Sequence, residues 1–382
     1  MTLLPDLLVE KLERCLGEYE DTWTLPPECY TSQEVFTAEQ ERIFHQGWVG
    51  IGRADRWVDP GHFAALEIGG VPIVVVRGDD GGLRAFANSC RHRAAKIMEG
   101  EGHCSRMRCR FHFWTYAQDG RLVGAPRMQK TPGFNNADFG LVEFSVVEWE
   151  GFALVSLEEN PPPFERWVGE FSQIHEPWRG EELATARRRE FTVECNWKSF
   201  AEVFNEYYHL PYVHPTSIDA TYNAPDPAEK VAGAFATHFG TTEGTGALLD
   251  SQQENGQNLP VMEQLVGRLR AGVRYSWIFP NLAVAYGSDA LWMYEVHPDG
   301  PHRCQVTMWV CFPQSTLDLA DFAEKAAIYF ERFDAALDED IPMLEQQFLG
   351  QNSPFAQQGR HSDLEPNVAC FADWYANRLL MR

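Results

Sequence analysis

The chain has 382 residues, room for two or three packed domains, and its 44% apolar and 13% aromatic content suits a globular protein. Its 32 Lys and Arg against 55 Asp and Glu leave a net charge of −23, which excludes nucleic acid and anionic membrane surfaces as partners because a polyanion is repelled. Asp6, Glu10 and Glu13 interrupt the start, no run of 18 apolar residues follows, and nine dispersed cysteines lack the even framework of a small secreted domain, so a soluble, cytoplasmic protein is expected.

Residues 1–45 place Leu7, Leu8, Lys11, Leu12 and Cys15 at helical spacing, pass through Pro26 and Pro27, and resume over Phe36–Phe44, which reads as helix, loop, helix. From Trp48 to about Leu157 short β-rich runs alternate with Gly, Asp and Pro, as in Val71–Arg77, the turn Asp79-Asp80-Gly81-Gly82 and Leu83–Asn88. A small antiparallel β-domain over 46–160 follows, closed by Pro161–Pro163, which can continue neither a central strand nor a helix. The remainder, 161–382, carries strand patterns at Arg274–Pro280, Ala283–Tyr286, Leu291–His297 and Gln305–Phe312 and a long amphipathic helix from about Leu317 to Leu337. The class is α+β. No Gly-rich dinucleotide fingerprint follows a strand, so reducing equivalents must arrive through another protein.

Two constellations carry chemistry. Cys90-Arg91-His92, sixteen further residues and Cys109-Arg110-Phe111-His112 set two Cys/His pairs on two loops of the β-domain. Two thiolates on one iron and two neutral imidazoles on the other form a Rieske [2Fe–2S] centre, with the imidazole end nearer solvent. A tetrahedral zinc ion would also accept two Cys and two His, although zinc fingers pair like with like in each loop. His103 and Cys104, between the loops, read as filler.

The second constellation begins at Asn196-Trp197-Lys198, whose apolar positions Phe200, Val203, Phe204 and Tyr207 predict a helix that puts Glu206 and His209 on one face. Pro211 should break that helix after Leu210, letting His214 swing round to share a metal with His209. Two histidines and a carboxylate on one face leave positions open for dioxygen at a non-haem Fe(II). Leu337-Asp338-Glu339-Asp340-Ile341-Pro342 offers the third ligand, with a helix break or restart expected at Pro342. From charge alone Asp338, Glu339, Asp340 and Glu345 read as a solvated helix face; it is the resemblance of this stretch, through Glu345 and Gln347, to the ligand helix of Rieske oxygenases that implies Asp340, with the other three as runners-up.

Cys-Arg-His-Arg at 90–93, Cys-x-x-His at 109–112 followed by Trp114 and the Asp119-Gly120 turn, the Glu206-x2-His209-x4-His214 segment and the acidic stretch around Asp340 resemble the ring-hydroxylating Rieske non-haem iron oxygenase α-subunits over nearly the whole chain. Ala94 and Phe113 stand where that family usually has Gly, and Arg110 where many members have Pro.

The resemblance implies an N-terminal Rieske β-domain and a C-terminal helix-grip catalytic domain, with the 1–45 segment packed on the latter. It implies a terminal oxygenase that hydroxylates or oxidatively demethylates a small organic molecule, using dioxygen and NAD(P)H-derived electrons from a separate reductase, with or without a ferredoxin. It implies a homotrimer in which Glu206 bridges the outer cluster ligand His112 of one subunit to His209 of the next. Glu in place of the family's usual Asp at 206 looks like the carnitine and glycine-betaine monooxygenase branch. A quaternary ammonium substrate would want aromatic faces, for which Tyr275, Trp277, Tyr286, Trp292 and Trp309 are candidates, although such residues on strands commonly form core. The competing substrate is an aromatic or alicyclic carboxylic acid, and the competing class a Rieske electron-transfer or ligand-binding protein without oxygenase activity.

Overall fold

The structure, a computed structural model, describes residues 3–17, 21–218, 225–227 and 229–382, which form two compact units: Phe44–Pro162, and Met1–Ile43 together with Pro163–Arg382. Among the described residues no helix is long and apolar enough to cross a membrane.

The smaller unit is β throughout. Strands β1 (Val49–Arg53), β2 (His62–Ile68), β3 (Val71–Arg77), β4 (Leu83–Ala87), β5 (Glu101–His103), β6 (Met107–Arg108), β7 (Thr115–Tyr116), β8 (Leu122–Gly124), β9 (Glu143–Trp149) and β10 (Phe152–Ser156) pair antiparallel. They form a seven-stranded sheet in the order β1-β10-β9-β4-β3-β2-β5 and a three-stranded sheet β6-β7-β8. An isoleucine and three consecutive valines bury β3 from Ile73 onward, and Val74, Val76, Phe86, Met107, Trp114 and Tyr116 build one core beneath the two Cys/His loops. Those loops follow β4 and β6. His103 is tied elsewhere, its Nε2 lying 2.7 Å from the Pro60 carbonyl, as a filler residue would be.

The larger unit is a six-stranded antiparallel sheet of β11 (Leu183–Val193), β12 (Phe235–Thr241), β13 (Gly272–Ile278), β14 (Leu282–Tyr286), β15 (Leu291–Pro298) and β16 (Cys304–Pro313), ordered β11-β16-β15-β14-β13-β12. Side chains alternate across a strand, so the register sorts the sheet's aromatic residues. Tyr275 pairs with Ala285 and Ala285 with Trp292; Trp277 pairs with Ala283 and Ala283 with Tyr294. These share one face, where alanines at the central strand leave a low floor between large rings. Against this face lies the long helix Phe322–Gln351, through Trp292–Phe333 (5.1 Å) and Phe312–Tyr329 (5.7 Å) ring contacts. Tyr286 and Trp309 point the other way, Tyr286 onto Phe171, His175 and Trp178, and Trp309 under Arg188. The five aromatics expected to share a pocket are thus divided three to two.

Two expectations about helices are corrected. The helix opening at Asn196 ends at Phe204, before Glu206 and His209, and Pro211 lies in the first turn of a second short helix, Leu210–Val213. Asn205 stops it: its Nδ2 turns back to the Ala201 carbonyl (2.8 Å), and the next free donor, Tyr207 N–H, is captured by the Leu364 carbonyl (2.9 Å). Pro342, by contrast, breaks nothing, since the long helix begins at Phe322 and runs through it to Gln351. One missing bond, to the carbonyl of exposed Asp338, is outweighed by packing on either side at Leu337 and Leu344.

At the root of the metal-bearing segment sits a fully buried ion pair, Lys198 Nζ to Glu39 Oε1 at 2.5 Å. Trp197 Nε1 donates to the other Glu39 oxygen (3.1 Å), Tyr375 also donates to Glu39, and the ammonium lies 5.0–5.2 Å from the rings of Tyr30, Trp197 and Tyr375. Removing one partner strands a buried charge, so Lys198→Met should cost about 3–5 kcal/mol in denaturant unfolding. The double variant with Glu39→Gln should recover part of that loss; equal unfolding free energies for wild type and Lys198→Met would refute this account.

Candidate metal centres

Each Cys/His loop is the same tight turn. Cys90 N–H donates to the Ala95 carbonyl (2.9 Å) and Ala94 N–H to Cys90 (2.8 Å); Cys109 N–H donates to Trp114 (2.9 Å) and Phe113 N–H to Cys109 (3.0 Å). Closing such a turn puts Ala94 at φ 57° and Phe113 at φ 62°, a left-handed backbone that costs a residue with a Cβ about 1–2 kcal/mol. The two departures from Gly therefore fall where glycine would relieve strain, and the loops keep their shape regardless. Arg110, the third departure, is an exposed residue 3.7 Å from Glu99.

The turns bury Cys90 and Cys109 and leave His92 and His112 half-buried at the outer end. The two imidazoles meet edge to face at 4.5 Å, and His92 stacks on Trp114 at 5.0 Å. His92 Nδ1 is buried with no hydrogen-bond partner, as a nitrogen destined for a metal would be. Burial and the adjacent His92 and Arg93 hold His112 below the usual imidazole range, favouring the neutral form a ligand needs. Among the described residues, one set of three or more His, Cys or carboxylate donors lies within 4.8 Å of one another, and the four donors of these loops are not that set. A single zinc ion would require that closeness, whereas a diiron cluster separates the thiolate pair from the imidazole pair.

That one set is His209, His214 and Asp340. His214 Nε2 lies 2.8 Å from Asp340 Oδ1 and His209 Nε2 lies 3.5 Å from the same oxygen, so both rings turn one nitrogen toward one carboxylate. Each ring's other nitrogen has its own acid. Glu206 Oε1 is 2.5 Å from His209 Nδ1, with Oε2 accepting the His209 N–H at 3.1 Å; Glu339 Oε2 is 2.6 Å from His214 Nδ1 and also accepts from Ser217. Glu339, a runner-up for the third ligand, thus lies on the Nδ1 side of His214, a quarter turn round the helix from Asp340.

Burial lowers His209, but Asp340 and Glu206 overcome it and carry the imidazole up to about 10. Burial raises Asp340, and the two histidines more than offset it.

Five rings form one contiguous set, of which Tyr294 lies near Asp340. Phe204, at the end of its helix, meets Tyr275 (5.4 Å) and Tyr294 (4.8 Å) edge-on; Tyr275 meets Trp292 (6.2 Å), and Trp292 meets Phe333 (5.1 Å). Burial, then the nearby Asp340 carboxylate, raises the Tyr294 phenol. Phe204, Tyr294 and Phe333 were not singled out from sequence. Tyr294's place on one face with Tyr275 and Trp292 becomes visible only once strand register is known, and Phe204 and Phe333 reach the set from two helices. A cavity of about 990 Å³ bounded by Phe235, Phe279, Leu364 and Trp374 lies along the C-terminal helix Pro366–Leu380 and includes none of the seven donors.

Residues 180–380 match the ring hydroxylating alpha subunit (catalytic domain), and residues 47–135 match the Rieske [2Fe-2S] domain. The chain belongs to the ring-hydroxylating oxygenase α-subunits. As an α-subunit of this family it is an oxygenase that carries a [2Fe–2S] cluster and a mononuclear iron, uses dioxygen on a small molecule, and takes electrons from a separate reductase. Choline monooxygenase, chloroplastic, of Spinacia oleracea is 28% identical over 371 residues, covering 94% of this chain and 79% of its own. The glycine betaine monooxygenase oxygenase subunit of Pseudomonas aeruginosa is 28% identical over 401 residues, covering 96% and 91%. The solved structure of the quaternary ammonium Rieske monooxygenase CntA with L-carnitine superposes with a TM-score of 0.77 at 21% identity over 99% of both chains. Naphthalene 1,2-dioxygenase from Rhodococcus sp. bound to indole gives 0.80 at 20% identity over 100% of both. At these identities the structural likeness is one of fold.

In the Rieske domain the Tyr116 hydroxyl accepts from Arg91 N–H (3.0 Å), which turns its own proton toward Cys90 Sγ at 3.3 Å. A hydrogen bond to a cluster thiolate favours the reduced state. Tyr116→Phe should therefore lower the cluster's midpoint potential by about 40 mV, the equivalent of about 1 kcal/mol for a one-electron couple, without loss of its visible bands. Voltammetry returning an unchanged potential would contradict this.

Proposed function

We propose that this α-subunit is the terminal oxygenase for a quaternary ammonium compound, inserting one oxygen atom at a carbon bonded to, or next to, the cationic nitrogen. The observation that carries the reading is the contiguous ring set Phe204, Tyr275, Trp292, Tyr294 and Phe333, whose Tyr294 lies near Asp340. A quaternary nitrogen has no N–H to donate and binds through the negative faces of aromatic rings. Choline and glycine betaine, named for two relatives that align over more than nine-tenths of this chain, are both of this class.

In this reading Cys90 and Cys109 hold one iron of the cluster, and His92 and His112 the other. His209, His214 and Asp340 would hold the mononuclear iron. Glu206 and Glu339 fix the two imidazoles by their Nδ1 atoms, so that each presents Nε2. Iron bound there supplies the site at which dioxygen is activated. The overall change consumes dioxygen, two electrons and two protons per oxygen atom inserted, and releases water. Trp292, Tyr294 and Phe333 are buried and Phe204 and Tyr275 half-buried, so the rings shield the cation from bulk solvent and keep its methyl groups over the metal donors.

The working unit is a homotrimer. Exposed Arg91, Arg93, Arg106, Arg108 and Arg110 surround the cluster loops on a protein of net charge −23, a basic rim complementary to the acidic surface of another copy. There His112 of the partner subunit donates to Glu206, whose carboxylate already orients His209, and the electron crosses between subunits by that route.

His209→Ala should keep the cluster's visible spectrum yet lose one iron per chain and all product, while Glu206→Gln should keep both metals but uncouple cluster oxidation from turnover. Unchanged iron content in the first, or wild-type single-turnover rates in the second, removes the corresponding assignment. Oxygen uptake by the reductase-fed protein across a panel of quaternary amines and aromatic acids tests the substrate class. Coupled uptake with quaternary amines is expected, and uptake coupled only to aromatic acids would overturn the proposal.

A further inference from the structure

Arg332 projects from the long helix with only 8% of its surface exposed, and neither Nε nor Nη2 has a hydrogen-bond partner. Arg77 and Arg187 each meet a carboxylate, Glu148 and Asp334, and Arg274, whose Nε also lacks a partner, meets Glu229 through Nη1. Burying a guanidinium without an acceptor is unfavourable, and its stacking over the Phe333 ring at 5.5 Å offsets only part of that cost. Nε and Nη2 form the side-on edge of the guanidinium, two parallel N–H groups spaced to match the two oxygens of a carboxylate.

Its place on the helix connects that edge to the metal donors. Arg332 precedes Asp340 by eight residues, about 12 Å along the axis. Midway lies Ala336, too small to block the way, in one apolar cluster with Tyr207, Leu210 and Tyr275. Phe333, under the guanidinium, opens the line of rings through Trp292 and Tyr275 to Phe204. The Tyr294 phenol is acted on by the Asp340 and Arg332 charges in opposite senses, which places both near one ring.

We infer that Arg332 is the anion-binding residue of the substrate site, taking a carboxylate side-on through Nε and Nη2 while the rings hold the cationic end over the metal donors. This rests on the quaternary ammonium reading and narrows it to substrates that carry a carboxylate at the far end of a short chain, in preference to amino alcohols. No bond forms or breaks at Arg332. It sets which end of the molecule faces the iron.

Equilibrium binding of trimethylglycine, choline and benzoate to the metal-loaded protein, as wild type, Arg332→Met and Arg332→Lys, tests the assignment, with the cluster's absorption reporting intact folding. Trimethylglycine should weaken about ten- to hundredfold in Arg332→Met, as loss of a charge-assisted pair predicts. Arg332→Lys should fall between. Choline should bind Arg332→Met as well as wild type or better, because a like charge has gone. Ligand-free Arg332→Met should melt no lower than wild type, an outcome that a purely structural arginine would not give. Equal losses for trimethylglycine and choline, or no change in either, overturn the anion site. Should wild type bind benzoate in an Arg332-dependent way and no quaternary amine, the anion site stands and the quaternary ammonium reading fails.

Discussion

The catalytic unit hangs on one buried charge pair. Glu39 comes from the N-terminal segment, Lys198 from the first turn of the helix leading to the metal donors, and Tyr375 from the C-terminal helix, so three stretches remote in sequence meet at a single carboxylate. Asn196 adds to this by capping Lys198 N–H while its amide nitrogen donates to the carbonyls of Tyr30 and Pro301 (both 3.1 Å). A charge that cannot reach water tolerates little displacement, since any gap exposes an unsatisfied ion. The start of the helix is therefore held firmly, and the position of everything eight to sixteen residues further on, from Glu206 to His214, follows from how the chain leaves it.

How it leaves is equally constrained. Asn205 ends the helix with its own side chain, and the Leu364 carbonyl takes the Tyr207 N–H, so Glu206 and His209 sit in a fixed turn from which the second short helix swings His214 back. The third donor arrives on a continuous thirty-residue helix. Each imidazole is then clamped between two acids, one for orientation and one shared, and the shared oxygen belongs to Asp340. With so many carboxylates around two rings, a dication is the natural charge balance.

Both donor sets that the structure brings together are legible in spacing: a cysteine two or three residues before a histidine, twice, and two histidines five apart after a glutamate. Even the two turns that need a left-handed residue were marked, by Ala94 and Phe113 standing in for glycine. Other features were decided by partners too distant in sequence to see. The helix stops at Asn205 rather than at Pro211 because of Leu364, and Pro342 is tolerated because the helix around it is packed. Tyr286 and Trp309 looked equivalent to Tyr275 and Trp292 until cross-strand register put them on opposite faces. Glu339 and Asp340 are neighbours whose roles differ by 100° of helical rotation, a distinction no one-dimensional pattern carries. Arg332 left a faint signal, a lone cation in the apolar stripe Tyr329, Phe333, Ala336 and Leu337, but long arginines commonly reach solvent from such positions.

The uninterrupted run of the long helix through Pro342 has a bearing on how this scaffold diversifies. Because the metal carboxylate and the distal guanidinium share one rigid rod, the gap between them is quantised: an insertion or deletion of a single residue would swing one through 100° relative to the other and wreck both. Point replacement at successive turns remains open, shifting the cationic group by whole pitches. Such a rod works as a gauge of molecular length, and lineages built on it would be expected to change the size of molecule they accept in steps rather than by gradual drift.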